Sequence, residues 1–588
     1  MPVQAADTAD LAAARRMYEE GVLPSGGPLV GRRPDGTVAT GQAAACVNCH
    51  RSSGMGSVEG DIQVTPITGR FLFPQVGEKP LATMDPRVGK RMNLRREPHT
   101  DSSFAAALRE GRGSDGQILG PLMPRYALGD TEMAALTQYV RQLSVEPSPG
   151  VEGRTLRFAT VITPGVEPMR RQVLLDMLRT AFSQKNGSTV TGNSSRRHMV
   201  TAAELVLGTE NKWTLDVWEL TGSPDTWADQ LNNYYKLAPP FALLSGLTNS
   251  TWEPMEKFCE TRQVPCWFPS VPVAPSGAGN PAPRKYSFYF SRGVGLEADV
   301  LASHLGSQPL AGKRSARVVQ LYRAGDAGAT AAEAFATKFK PQSKSTAVDA
   351  VDVSQWPADV ASSKLQLALS KLKAEDSLVL WLRPSDLKAF EAVLAGTPAR
   401  KFLSGSLISA TSAFVPERLR SEVQLVYPYE LPQVRAGNVA YMHIWLKLRR
   451  IPLIDEAMQS EVYFALNLLT DTLAEMLDNL YRDYMVERAE SMIGQRETRK
   501  AEDEVRDQRL LRPRVKRTPM DAGLTVPPIN GTGYAEHVNG LREGTTIYPR
   551  LTLGPGQRFA SKGAYIAHFD PQDLATGRLI ADTAWITP

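Results

Sequence analysis

The chain has 588 residues, of which 42% are hydrophobic and 22% are charged. This length exceeds what one hydrophobic core usually organises, and the composition is that of an ordinary globular protein. The net charge of +5 and the pI near 8.8 are mildly basic. Because positive and negative charges alternate along the chain, nucleic-acid binding is not predicted. The sequence has no run of about twenty apolar residues, so no membrane span is predicted.

A short cysteine motif dominates the first part of the chain. An amphipathic helix ending near Gly21 and a Gly/Pro-rich connection lead into Cys46-Val47-Asn48-Cys49-His50. Two cysteines separated by two residues and followed directly by histidine form the attachment signature of a c-type haem. The two thiols can add to the porphyrin vinyl groups, and His50 then lies at one face of the iron as the proximal ligand. The motif occurs once, so we expect one covalently attached haem c.

Two other kinds of protein site, zinc sites and thioredoxin-like redox sites, also use a CxxC pair. A zinc site would need a second ligand pair, and the sequence has no other Cys pair at this spacing. A thioredoxin-like redox pair has no need of the histidine and is expected between a strand and a long helix. The haem interpretation accounts for all three motif residues.

The segments after the motif add a second candidate ligand. A helix is predicted near residues 103–111, and a closing amphipathic helix begins near Asp130. An N-terminal helix, CxxCH, a Met-Pro pair about seventy residues later and a closing helix together resemble the class I c-type cytochromes. The resemblance implies an all-α domain over residues 1–145, with Met123 as the distal iron ligand and the terminal helices packed together. A thioether opposite an imidazole raises the haem potential.

Other side chains compete for the sixth position on the iron. Met55 follows His50 too closely to reach the opposite face of the haem, whereas Met84, Met92 and His99 stay open as alternatives. A filled sixth position favours electron transfer over oxygen or peroxide chemistry. A basic cluster in the same domain either selects acidic redox partner proteins or is a solvated loop. Its members are Lys90, Arg91, Arg95 and Arg96.

Covalent haem implies export, because it is attached outside the cytoplasm. Residues 1–7 lack the basic and apolar regions of a signal peptide, so we interpret the sequence as a mature periplasmic form whose signal has been removed. Cys259 and Cys266 are seven residues apart and can close a disulfide loop in such an oxidising compartment. The alternative is two unpaired thiols.

The remainder of the chain alternates strands with helices. Residues 146–155 are rich in Pro, Gly and Ser and are predicted to be a linker. Two successive sets of strands and helices predict two lobes with parallel sheets covered on both faces. This pattern and the tail 548–565 resemble the type I periplasmic binding proteins, the branched-chain amino acid and amide receptors of ABC importers. The predicted fold class is therefore multidomain, an all-α cytochrome c domain followed by a two-lobed α/β domain over 156–588.

The second resemblance also implies a ligand cleft. In that family the ligand lies between the lobes, held by loops at the carboxyl ends of strands. The corresponding loops here contain Ser245, Ser291, Arg292 and Glu430. Arg292 could hold a carboxylate and Glu430 an ammonium group. The alternative is that all four are ordinary loop residues.

Three functions remain open. Catalytic motifs such as GxSxG, HExxH and a phosphate-binding Gly loop are missing from the sequence. The favoured function is a periplasmic one-electron carrier whose large domain docks a redox partner protein or senses a small molecule. The alternatives are a solute receptor with an accessory haem, and an oxidoreductase that passes substrate electrons from the cleft to the haem. The helical region 451–492 has a broad apolar face that packs on its lobe or joins two copies of the chain.

Overall fold

The computed structural model describes residues 8–59, 62–73, 97–191, 211–275, 284–307, 317–340, 347–510 and 546–588. These residues form two compact units. The first unit contains the described residues up to Arg154, Asn211 and the later segment Leu473–Arg488, and the second contains the rest. A stretch about 320 residues beyond the end of the N-terminal part thus belongs to the first unit.

The N-terminal part of the first unit combines short helices with small sheets. Its described helices are Thr8–Glu20, Val47–His50, Gly69–Leu72, Asp101–Arg109 and Asp130–Gln142. Its described strands are β1 (Val30–Arg32), β2 (Val38–Thr40), β3 (Ser57–Glu59), β4 (Ile62–Val64), β5 (Arg125–Tyr126) and β6 (Val151–Glu152). An antiparallel sheet has the order β2-β1-β5, and β3 pairs with β4. The expectation of an all-α domain is therefore wrong in this respect.

The two terminal helices of this part pack together, as the resemblance implies. Helix Thr8–Glu20 contacts helix Asp130–Gln142, and the rings of Tyr18 and Tyr139 lie 5.4 Å apart. Buried apolar residues at helical spacing, among them Met133, Leu136 and Val140, turn one face of the closing helix to the core. This packing follows from the usual burial of an amphipathic face.

The second unit contains two parallel sheets with the same strand order. The strands of the first are β7 (Thr155–Ile162), β8 (Lys212–Glu219), β9 (Ala242–Leu244), β10 (Cys266–Trp267) and β11 (Ser287–Phe288). The parallel strands of the other are β12 (Val318–Tyr322), β13 (Val348–Asp352), β14 (Ser377–Trp381), β15 (Arg400–Ser404) and β16 (Val423–Tyr427). Their orders are β8-β7-β9-β10-β11 and β13-β12-β14-β15-β16. In chain order both are 2-1-3-4-5, a doubly wound arrangement.

The second sheet continues beyond its parallel part. The strands β17 (Tyr565–Phe569) and β18 (Leu579–Ala581) extend it with antiparallel pairing. The inner parallel strands are buried along most of their length, and all five residues of β14 are buried, as expected for strands covered on both faces. The prediction of a two-sheet α/β region with parallel strands is confirmed, and the antiparallel edge is an addition to it.

Helices connect the strands in both sheets. The described helices that connect or follow the strands of the first sheet are Pro168–Thr191, Trp227–Leu237, Glu253–Arg262 and Val294–Ser307. Those that follow within or after the second sheet are Ala327–Lys338, Ala358–Leu369, Pro384–Ala389, Glu391–Ala395, Glu417–Arg420, Pro432–Asn438, Ala440–Leu448, Glu456–Met476 and Arg482–Leu510. None of the helices in the described part of the chain is both long and apolar enough to span a bilayer.

Two further predictions can be compared with the structure. Cys259 and Cys266 form a disulfide, which joins helix Glu253–Arg262 to β10 and confirms the predicted pairing. The apolar residues of helix Glu456–Met476, including Leu466, Leu468 and Leu469, are buried within the chain. The face that suggested contact between two copies is therefore already covered, and an oligomer stays a prediction.

Candidate functional site

The cysteine motif forms one helical turn that is fastened on both sides. A 3-10 turn at Gly41–Ala44 leads into helix Val47–His50. The Asn48 side chain donates to the Gln42 carbonyl at 2.7 Å, and the Ser57 hydroxyl donates to the Cys49 carbonyl at 2.9 Å. These bonds hold the motif turn against its flanking chain.

Two buried tyrosines hold the ends of this turn. Tyr126 donates its hydroxyl proton to the Ala44 carbonyl at 2.9 Å, and Tyr18 donates to the Arg51 carbonyl at 2.7 Å. Arg51 has φ +65°, a left-handed conformation that costs a non-glycine residue about 1 kcal/mol or more. The Tyr18 hydrogen bond helps to stabilise this sharp exit from the motif.

His50 is oriented as a metal ligand would be. Its side chain is buried, with 8% exposed, and Nδ1 lies 3.1 Å from the Thr65 carbonyl oxygen. A carbonyl oxygen can only accept, so Nδ1 carries the proton. This tautomer leaves Nε2 with the lone pair needed to bind a metal, and a backbone carbonyl is a common partner for the other nitrogen of a ligating histidine.

The two thiols lie in a setting unlike that of a redox pair. Cys46 and Cys49 are half-buried, and neither takes part in a disulfide. Burial raises the pKa of the Cys46 thiol to about 12, whereas a reactive CxxC needs a lowered thiol pKa. The helix that holds them is four residues long, and a thioredoxin-like motif would begin a long one.

Met123 reaches the same apolar core as the motif. Met123, Cys46 and Val47 are all partly buried against the core cluster that contains Tyr18 and Tyr126. Arg125 donates to the Met123 carbonyl at 2.5 Å, which holds the loop that carries the thioether. Two thiols and an imidazole on one turn, with a thioether in the adjoining core, are the donor set of a c haem, and the residues present fit this group.

The competing ligands have other surroundings or lie outside the described residues. Met55 packs with Phe71 and Tyr481 in a separate buried cluster. His99 has ring contacts with Phe73 at 6.4 Å and with Phe104 at 6.1 Å. Its Nδ1 is 3.2 Å from the Ser103 hydroxyl. Residues 74–96, which include Met84, Met92 and the predicted basic cluster, lie outside the described residues, as do residues 1–7.

Replacing Tyr126 by phenylalanine tests how the motif turn is held. The change removes one buried hydroxyl and leaves the Ala44 carbonyl without this donor, which should lower the free energy of unfolding of the first unit by about 1–3 kcal/mol. Denaturant titration of the haem-loaded protein, followed by haem absorbance, measures the loss. The control is Tyr139→Phe, which removes the hydroxyl of a half-buried tyrosine in the closing helix. Equal stability of Tyr126→Phe and wild type would contradict this role.

The four predicted cleft residues follow strands of the second unit. Ser245 comes directly after β9, is buried and has φ +53°. Its hydroxyl has no hydrogen-bond partner among the described residues. Ser291 follows β11, and its oxygen accepts from the Gly293 amide at 2.9 Å. Arg292 forms an ion pair with Asp299 at 2.5 Å, so its guanidinium is already engaged. Glu430 accepts from the Leu431 amide at 3.1 Å.

A set of buried polar residues that the sequence did not indicate lies in the same region. Tyr548 donates its hydroxyl proton to Glu461 at 2.5 Å. Its ring lies 5.4 Å from that of Phe290, after β11, and 5.4 Å from that of Tyr429, after β16. Tyr548 thus links the loops of both sheets.

Two carboxyl groups in this region have raised pKa values. Burial raises the pKa of Glu461 to about 7, although hydrogen bonds from Ser270 and Tyr548 oppose the shift. Burial likewise raises the pKa of Glu297 to about 7. Glu297 accepts from the Ser406 amide at 2.9 Å, and its other oxygen has no hydrogen-bond partner among the described residues. Glu461 lies within an apolar helix pattern, so the sequence alone suggested only core packing there.

Comparison with solved structures gives distant similarities. The leucine-binding protein LivK from Thermotoga maritima is 11% identical, with 74% of this chain and 99% of that chain covered and a TM-score of 0.46. A fatty acid ABC transporter substrate-binding protein from Thermomonospora curvata is 14% identical, with 76% and 95% covered and a TM-score of 0.46. A branched chain amino acid ABC transporter from Thermus thermophilus with bound valine is 9% identical, with 74% and 97% covered and a TM-score of 0.47.

The N-terminal part matches a known family. No curated protein matches the chain, but residues 38–144 match the family model of cytochrome c. The matched range contains the motif turn with His50 and the loop with Met123. The first unit of the chain therefore contains a cytochrome c domain.

Proposed function

We propose that this protein is a periplasmic mono-haem c-type cytochrome that transfers single electrons to or from a redox partner protein. Cys46 and Cys49 would hold the haem covalently, and His50 and Met123 would bind its iron. The observation that carries the proposal is the buried His50 imidazole, whose Nδ1 proton points at the Thr65 carbonyl and whose lone pair is therefore on Nε2. A bound c haem supplies a one-electron ferric/ferrous couple.

The residues around the haem motif favour electron transfer over chemistry at the iron. Thr65 holds the imidazole in one tautomer, and Tyr18 and Tyr126 hold the turn that carries it. The Met123 thioether lies against an apolar core, where it can fill the sixth position. A rigid six-coordinate site needs little rearrangement when the iron changes charge, and it leaves no open position for a substrate.

We propose a second role for the second unit, binding of a small polar solute that the cytochrome senses, or docking of the redox partner. The buried hydroxyl of Ser245 and one oxygen of Glu297 have no hydrogen-bond partner in the described structure, and such groups are usually satisfied. A polar solute that reached either group would satisfy it. Titration calorimetry with leucine and valine tests this role, and Ser245→Ala should weaken any binding observed.

A redox titration of the purified, haem-loaded chain tests the main proposal. The haem absorbance should follow a single one-electron curve, and carbon monoxide should not bind the ferrous protein rapidly, because Met123 occupies the sixth position. A multi-electron curve would contradict the single haem. Rapid carbon monoxide binding would indicate an open iron site and would favour an oxidoreductase.

A further inference from the structure

The loop that follows His50 is held by a carboxylate from a distant part of the chain. The Ser53 amide donates to Glu487 Oε1 at 2.9 Å, and the Ser53 hydroxyl donates to Glu487 Oε2. Ser53 is fully buried and Glu487 is 7% exposed. Because both carboxylate oxygens accept hydrogen bonds from Ser53, the geometry favours the ionised form of Glu487.

Ser53 in turn organises the loop back toward His50. Its hydroxyl oxygen accepts from the Met55 amide at 3.1 Å, and its carbonyl accepts from the Ser144 hydroxyl at 2.7 Å. The Gly56 amide donates to the His50 carbonyl at 3.1 Å. Glu487 therefore contacts the hydrogen-bonded loop that closes directly on the proximal histidine.

The segment Leu473–Arg488 is anchored in the first unit by independent contacts. The Arg482 amide donates to the Ser148 hydroxyl at 3.0 Å, and the Ser148 amide donates to the Leu480 carbonyl at 3.2 Å. Tyr481 packs with Met55 in a buried cluster. Glu487 is thus held in place rather than being a surface carboxylate that meets Ser53 by chance.

The charge of Glu487 acts on groups next to the haem motif. Burial raises the pKa of Tyr18, and the negative charge of Glu487 is among the charges that raise it further. Tyr18 is the residue that donates to the Arg51 carbonyl, one position after His50. A buried negative charge here stabilises the more positive ferric state relative to the ferrous state, since the low dielectric screens it weakly.

We propose that Glu487 is a positioning residue of the cytochrome, which fixes the loop after His50 and, through its charge, lowers the reduction potential of the haem. This inference rests on the proposed function. The 473–488 segment would then help to set the haem potential, although it lies more than 300 residues from the motif.

The test is a redox titration of the full haem-loaded chain carrying Glu487→Gln, with Glu487→Asp and Glu110→Gln alongside. Removal of the charge should raise the ferrous-to-ferric ratio at a fixed potential on the order of tenfold, which is about 59 mV for one electron. Glu487→Asp keeps the charge and should stay closer to the wild-type potential. Glu110, an exposed residue of the first unit, should have little effect when changed to Gln.

The outcomes separate this inference from the proposed function. A wild-type potential in a folded Glu487→Gln protein would overturn the role of the charge. Equal shifts in the Gln and Asp variants would overturn it too, because they would show that side-chain packing and not charge sets the potential. If Glu487→Gln fails to fold, Ser53→Ala serves instead, because it removes one of the two hydrogen bonds that favour the ionised carboxylate. It should raise the potential, and an unchanged or lowered potential overturns the proposal. A wild-type chain without haem would instead defeat the proposed function.

Discussion

The double variant Cys46→Ala, Cys49→Ala is expected to lose covalent haem completely. Thioether bonds from these two thiols are the only covalent attachment we propose between the haem and the polypeptide, and iron ligands alone release haem when the protein unfolds. After denaturing electrophoresis, haem staining should therefore be present in the wild type and absent in the double variant. Each single variant should keep at most one thioether and a weaker stain.

The matched control changes the other two cysteines. Cys259→Ala with Cys266→Ala removes the disulfide of the second unit and should leave haem staining intact. Staining that survives in the Cys46→Ala, Cys49→Ala protein would contradict covalent attachment at the motif. Bound zinc in the wild type, with no haem absorbance, would support the zinc alternative.

The second unit is expected to lose stability as the pH rises from about 5 to about 8. Burial raises the pKa of both Glu297 and Glu461 to about 7, from an ordinary value of 4.5. Between these two values the folded protein keeps protons that the unfolded chain releases. The stabilisation is therefore complete below about pH 4.5 and is lost as the pH rises through about 7.

The magnitude follows from the size of the shift. For the fully buried Glu297, the pH-dependent part of the free energy of unfolding is on the order of 3 kcal/mol at most. Glu461 keeps some exposure, so it should contribute less. All nine tryptophans lie in the second unit, so denaturant titration followed by tryptophan fluorescence reports its unfolding at each pH.

Neutral variants should remove this pH dependence. Glu297→Gln and Glu461→Gln should each flatten the fall in stability between pH 5 and pH 8. Glu333→Gln, a change at an exposed position of helix Ala327–Lys338, should leave the fall unchanged. Wild-type stability that rises across this range would contradict the raised pKa values.

Local patterns were sufficient for the features that depend on nearby residues. The spacing of Cys46, Cys49 and His50 predicted the haem motif, and the family match over residues 38–144 supports it. The buried strands of the second unit, such as β14, form continuous apolar runs that can be recognised in sequence. The seven-residue separation of Cys259 and Cys266 predicted their disulfide.

Features that depend on distant residues could not be predicted. Strands β1, β2 and β5 have two or three residues each, which is too short for a period of two to be recognised. The Ser53–Glu487 contact joins positions 434 residues apart. Glu487 lies within a helix, and the sequence pattern of that helix does not indicate Ser53 as its partner.

The four predicted cleft residues show the same limit. Arg292 looked available for a carboxylate ligand, but it pairs with Asp299 seven residues later. Tyr548 and Glu461 lie 87 residues apart and meet through a hydrogen bond, a pairing that only the tertiary structure brings about. The sequence pattern indicated neither of these two contacts, and the cleft itself stays a prediction.

The absorption spectrum of the oxidised protein, with Met123→Ala alongside, tests the central claim most directly. Coordination by His50 and Met123 predicts a weak band at the near-infrared edge in the wild type that is absent from the variant. A wild-type spectrum typical of high-spin iron would contradict the Met123 ligand and favour chemistry at an open site. A bis-histidine spectrum would contradict it as well, and would point to His99 and a carrier of lower potential.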